Sequence, residues 1–160
     1  MHASITWQWS RFAELAPGDL YALLAARGEV FVVEQRCAYL DADGIDPHAW
    51  HLFGWARSGE QRLLAAYLRL IEPGRKFAEP SLGRVLTTPA FRRHGVGRAV
   101  MREGLRQAAA LYPGCAVRIS AQRYLERFYA DSGFRVVSEP YDEDGIVHVD
   151  MLRPAESVRG

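Results

Sequence analysis

Lysine is nearly absent from this chain: Lys76 is the single lysine among 20 basic side chains. Arginines supply the rest, scattered rather than clustered, which reads as a coding bias of the source. With 19 acidic residues the formal net charge is only +1, and no run of five like charges occurs. Neither nucleic acid nor an anionic membrane is expected as the main partner. Cysteine is equally scarce. Cys37 and Cys115 stand far apart in no metal-type spacing, so no disulfide framework is indicated and a reduced, cytoplasmic setting is expected. Neither has an adjacent histidine to recommend it as a nucleophile. The opening MHASITWQWSRF lacks a basic stretch followed by an apolar one, so no signal peptide is expected. No apolar run has the length of a membrane-spanning helix.

What is present is ordinary globular material. Hydrophobic residues make up 49% of the chain and charged ones 24%, enough apolar surface for a core without staples. No repeat, low-complexity tract or linker divides it, so residues 1–160 are expected to form one domain with a core over about 5–153. The tail after Pro154 is expected to fray. Ile5, Trp7 and Trp9 alternate with polar residues, as in a half-buried strand. Pro17 can open a helix carrying Leu20, Leu23, Leu24, Val30 and Phe31, although 30–33 could equally leave it as extended chain. An acidic stretch, 41–47, precedes two strand-like runs, 50–57 and 63–71, joined by the turn 58–60. A strand over 82–88 ends at Pro89. A helix over 95–111, a strand over 116–121 and a short helix over 125–131 follow. Two closing strands, 134–138 and 146–152, finish the chain. Hairpin-linked strands followed by strand–helix–strand units predict an α/β (α+β) fold, a mixed sheet with helices packed over it.

The most informative stretch is Arg92-Arg93-His94-Gly95-Val96-Gly97-Arg98, between a strand and a helix. A helix start carries unpaired N–H groups and the positive end of the dipole, which attract phosphate oxygens. Glycines at 95 and 97 would let a pyrophosphate approach the amides, and Arg92, Arg93 and Arg98 add positive potential. The same residues could merely be a helix entry with a solvated basic edge. Neither the Walker ending nor the dinucleotide Gly-x-Gly-x-x-Gly spacing occurs.

Arg92-x-x-Gly95-x-Gly97 resembles the acetyl-CoA signature of the Gcn5-related N-acetyltransferase (GNAT) superfamily. Phe128-Tyr129-x-x-x-Gly133-Phe134 resembles its second signature, in the right order. Over about 7–152 the chain resembles the ElaA-type subfamily. That likeness rests on Phe31-Val-Val-Glu-Gln35, Asp41-x-Asp43-Gly44, His51, Gly83-Arg84-Val85, Ala121-Gln122 and Asp144-Gly145-Ile146-x-His148. The resemblance implies a mostly antiparallel central sheet, splayed at the cofactor cleft, with helices on both faces. It implies acetyl-CoA as cosubstrate, no metal, and direct transfer to a small-molecule or protein amine. Leu86 and Thr87 would offer backbone contacts to the pantetheine arm, with a backbone N–H near Leu86 facing the thioester carbonyl. Arg92, Arg93, His94, Gly95, Val96, Gly97 and Arg98 would hold the pyrophosphate. Tyr129 would serve the leaving sulfur, although it could also be only a core aromatic. For the general base, His51, His148 and Glu34 are the candidates, and a water chain without a single base is also open.

Several sharper readings fail. Asp41-x-Asp43-Gly44-x-Asp46 looks like a calcium loop, but positions 6 and 12 hold Asp46 and Leu52 instead of glycine and glutamate. A loop that attracts a cationic amine, or a solvated turn, is expected there instead. His48 and His51 lack a second ligand pair for zinc. The tryptophans and tyrosines have no basic groove that would mark base stacking. Two further functions stay in view. One is a silent acyl-CoA-binding module on the same fold. The other is an autoinducer synthase, suggested by Arg27-x-x-Val30-Phe31-x-x-Glu34 and ranked last because those chains usually run longer and lack the glycine signature. Acceptor, acyl-chain preference and a homodimer are open at this point.

Overall fold

The computed structural model describes residues 4–156; the last residues of the expected frayed tail, 157–160, lie outside them. Strand β1 spans Thr6–Arg11, β2 Trp50–Ser58, β3 Gln61–Ile71, β4 Ser81–Thr87 and β5 Val117–Gln122. The closing strands are β6 Arg135–Val136, β7 Tyr141–Glu143 and β8 Ile146–Arg153. Helix α1 runs over Pro17–Arg27 and continues as a wider π-helical turn over Gly28–Glu34. Helices α2, Val96–Leu111, and α3, Glu126–Ala130, complete the chain. All strands lie in one sheet of order β1-β2-β3-β4-β5-β8-β6, with β7 also on β8. Only β4 and β5 run parallel.

Alternation along the central strands puts helices on opposite faces. Leu68 and Leu70 of β3 join the core beneath α2, with Val96, Val100, Met101 and Ala108. Tyr67, beside Leu68 in sequence, joins the α1 core with Leu23, Ala26 and Phe53. A period of two on a pleated strand forces this division. Leu82 and Leu86 of β4 break the rule: they share parity, yet Leu82 packs under α2 and Leu86 under α1. A bulge lies between them. The β3–β4 register shifts between Tyr67 and Arg69, and Arg84 adopts φ +50°. An extra residue inverts the faces of everything after it.

Where β1 pairs with β2, Trp7 lies across β2 so closely that a Cβ at Gly54 would stand 2.7 Å from its ring. Only glycine fits there. The expected strand at 134–138 is shorter than predicted. Arg135 and Val136 pair with Leu152 and Met151, and the edge then breaks at Ser138–Pro140 before resuming as β7 opposite Ile146–His148. Proline has no N–H for the ladder, which accounts for the interruption.

Candidate acyl-transfer site

β4 and β5 are joined at one residue pair, Ser81 with Arg118, supported by the Arg118 N–H donating to the Pro80 carbonyl at 3.0 Å. Beyond it the strands part. The gap opens into a cavity of about 750 Å³ between β4, β5, the π-helical turn, α3 and the start of α2. From Leu82 to Thr87 the inner edge of β4 therefore faces a cleft, not a neighbouring strand.

The cleft leads to the α2 N-terminus. Gly95 there takes a left-handed conformation, φ 77° and ψ 6°, that side chains disfavour, and no side chain caps the helix. The first intrahelical bond is Ala99 N–H to Gly95 O at 3.1 Å, leaving the amides of 96–98 without helical partners. Gly95 and Val96, left-handed then right-handed, also form the kind of backbone concavity that binds anions. A Cβ on Gly97 would touch Thr87 Oγ1 at 3.4 Å and Phe128 Cζ at 3.6 Å, so β4, α2 and α3 converge on this residue. An extended ligand ending in phosphates fits this arrangement.

The expected cofactor residues divide into distinct groups. Leu86, Thr87, Arg92 and Gly97 line the cavity. Arg93, His94, Gly95 and Arg98 are exposed beside it, and Val96 is buried in the core, so only its backbone is available to a ligand. Arg92 acts first within the protein. Its Nε donates to the Thr87 carbonyl at 3.1 Å, and its Nη1 meets Glu34 Oε1 at 2.7 Å. The Thr87 carbonyl is thereby occupied, and Glu34 is held in a two-point pair across the cleft.

Tyr129 lines the cavity from α3, its ring set edge-on to Phe128 and Phe134 at centroid distances of 5.1 and 6.1 Å. Its ring belongs to the core even as it faces the cleft. Burial, then Tyr124, pushes its phenol up, so it stays protonated. His148 also lines the cavity. Its Nδ1 lies 2.7 Å from the Ile146 carbonyl and its Nε2 3.3 Å from Glu143 Oε2. A carbonyl can only accept, which places a proton on Nδ1.

His51 is not brought to the cavity. It is fully buried, with Nε2 2.9 Å from the Asp46 carbonyl and Nδ1 2.7 Å from the Tyr67 hydroxyl. The carbonyl fixes the proton on Nε2, and Tyr67 donates to Nδ1. Burial lowers its pKa, so the ring is neutral and both nitrogens are engaged. On this geometry the histidine is a structural hydrogen-bonding residue.

The acidic loop is also not a solvated turn. Asp41, Asp43 and Asp46 meet Arg27, Arg69 and Arg84 in a cluster of three positive and three negative charges. Asp46 Oδ1 accepts from Arg27 at 2.6 Å and Arg69 at 2.9 Å; Asp43 Oδ1 accepts from Arg69 at 2.8 Å. Arg27 Nε bonds Asp41 at 2.8 Å, while Arg84 Nε lies 2.9 Å from Asp41 without hydrogen-bond alignment. Burial pushes Asp43 and Asp46 up, but the arginines outweigh it and hold both carboxyls below the usual range. Since Arg84 sits in the β4 bulge, the cluster ties the loop to the cleft wall. The clue in the sequence is Arg69 inside the apolar run LLAAYLRLI: a charge there needs partners.

These features define the acyl-CoA N-acyltransferase class. A family model described as an acetyltransferase (GNAT) domain matches residues 56–153. A UPF0039 protein of Synechocystis sp. is 47% identical over 92% of this chain and 94% of its own length. An acyl-CoA N-acyltransferase from Pseudomonas aeruginosa is 41% identical, with a TM-score of 0.86 over 94% of this chain and 99% of that one. Escherichia coli ElaA is 38% identical, with a TM-score of 0.85 over the same shares. The chain belongs to the GNAT acetyltransferase family, in its ElaA-type group. Family and fold support acyl-CoA-dependent N-acyltransfer. Among the described residues, no helix is long and apolar enough to cross a membrane.

Proposed function

We propose that the chain acts as one catalytic domain that transfers acetyl from acetyl-CoA directly to a small-molecule or protein amine, in the cytoplasm. The observation that carries this reading is the unpaired inner edge of β4 running to an uncapped helix start, with Gly97 at the junction. When bound, acetyl-CoA supplies an activated thioester. Leu86 and Thr87 offer backbone contacts along β4, and the loop from Arg93 to Arg98 receives the phosphates. Arg92 steadies the Thr87 end of the strand and Glu34 opposite it. Tyr129, its pKa above that of a thiol at about 8.5, presents an O–H to the departing sulfur without surrendering the proton outright. Of the base candidates, Glu34 is held by Arg92 and His51 is enclosed. His148 alone pairs a fixed ring with a cleft position, and we assign it the amine's proton, with Glu143 beside it.

Thermal melting with and without acetyl-CoA tests the cofactor site. At a hundredfold excess over Kd, binding stabilises by about 2.7 kcal/mol. For a chain of this size that raises Tm by roughly 5–11 °C. Gly97→Glu should lose the shift, whereas Gly97→Ala, whose Cβ meets only ordinary contacts, should keep it. No shift in the parent protein at saturating acetyl-CoA would sink the proposal.

A further inference from the structure

Five cationic side chains line the cavity, apart from histidine: Arg69, Arg75, Lys76, Arg84 and Arg92. Each arginine has a carboxylate partner: Asp43, Glu72, Asp41 and Glu34, respectively. Lys76 has none among the described residues; its Nζ lies 5.4 Å from the Phe77 ring centroid. It stands on the connection between β3 and β4, exposed to water at the cavity's rim. It is also the one cation of the five that can become a nucleophile. A guanidinium never deprotonates in a protein, whereas a lysine amine does so readily when its surroundings disfavour charge. Those surroundings are present. Although the residue as a whole is exposed, protein packed around the ammonium lowers its pKa; Glu143 and Asp150 oppose that shift, and Arg69 and Arg84 add repulsion to it.

We propose that Lys76 is itself an acyl acceptor, modified by the enzyme in its own cavity. This rests on the acyl-CoA reading above. The neutral Nζ attacks the thioester carbonyl; a C–N bond forms and the C–S bond breaks. One amine proton passes to solvent by way of the Glu143–His148 pair. The CoA thiolate leaves and takes up a proton, so an amine and a thioester become an amide and a thiol with no further reactant. The product loses the unpaired cation of the cavity wall, and an acceptor carrying an anionic group would then bind less well.

The full chain is incubated with acetyl-CoA and followed by intact mass and peptide mapping. The expected result is one added acetyl group, at Lys76. Its rate should saturate with acetyl-CoA, fall with excess CoA, and stay first-order when the protein is diluted. Lys76→Arg, a change at an exposed position, should melt as the parent does, retain the acetyl-CoA shift and gain no acetyl group there. An unchanged mass in protein whose Tm rises with acetyl-CoA would overturn the proposal while leaving the cofactor site intact. Labelling that grows linearly with acetyl-CoA, ignores CoA or depends on protein concentration would overturn it as solution chemistry. Absence of the Tm shift itself would instead count against the cofactor reading.

Discussion

Replacing Asp46 with asparagine removes one charge from the buried cluster without changing its shape. Asp46 serves Arg27, whose side chain is fully buried, and Arg69, which is 3% exposed. After the change three guanidiniums face two carboxylates, and although the asparagine Oδ1 can still accept from Arg27 and Arg69, it no longer offsets their charge. Breaking a buried pair from one side costs about 3–5 kcal/mol, because the partner's charge stays behind. Against a total stability of about 5–15 kcal/mol this is a large share. It corresponds to a Tm lower by roughly 6–20 °C. Urea denaturation followed by circular dichroism should show a lower midpoint with an unchanged slope. Adding Arg69→Met to Asp46→Asn restores the charge balance and should recover part of the loss. Glu103→Gln, which removes the partner of the exposed Arg106, should leave the midpoint nearly unmoved. If Asp46→Asn behaves like Glu103→Gln, the cluster does not hold this wall of the cleft together.

Stability should fall with acid in two stages. His51 is held neutral, with its folded pKa below the ordinary value, so it contributes above about pH 6.5 and loses that contribution as pH falls below it. Asp43 and Asp46 are likewise depressed, and their contribution persists until pH drops below about 4. Urea midpoints from pH 7 to 3 would show both stages; a flat profile down to pH 5 would contradict the buried neutral histidine. Tyr129→Phe should slow turnover by roughly a hundredfold or more while keeping the acetyl-CoA-induced Tm shift. Unchanged turnover would remove the phenol from the chemistry.

The elements that align with sequence reasoning are those with local punctuation. Pro17 opens α1, Pro89 follows β4, and Gly95 stands at the entry to α2. The bulge at Arg84 is not legible, because Gly83-Arg84-Val85 reads as continuous strand and only pairing with β3 exposes the shifted register. Residues 30–33 are ambiguous for a related reason: the apolar spacing suits helix or strand, and a π-helical turn is a third outcome that periodicity does not encode. The acidic loop reads as solvated because its partners lie far along the chain, Arg27 before it and Arg69 and Arg84 after it. In the candidate site, it is the resemblance to the family's two signatures that singles out Tyr129 and the glycines, and Tyr129 and Gly97 line the cavity. Which histidine faces the cleft depends on tertiary packing that neither His51 nor His148 announces locally.

An unpaired strand edge is normally a hazard, since it offers a template on which another chain can build sheet and aggregate. The open edge of β4 faces a cleft, with β5 opposite and α2 and α3 beside it, rather than the outer rim of the sheet where a passing strand would dock. A peptide would bring side chains on both faces of the slot. A thin, unbranched arm brings none. On the acyl-CoA reading, the parting of two strands in mid-sheet would work as a steric filter, keeping backbone groups ready for one kind of ligand and sheltered from the protein's own copies.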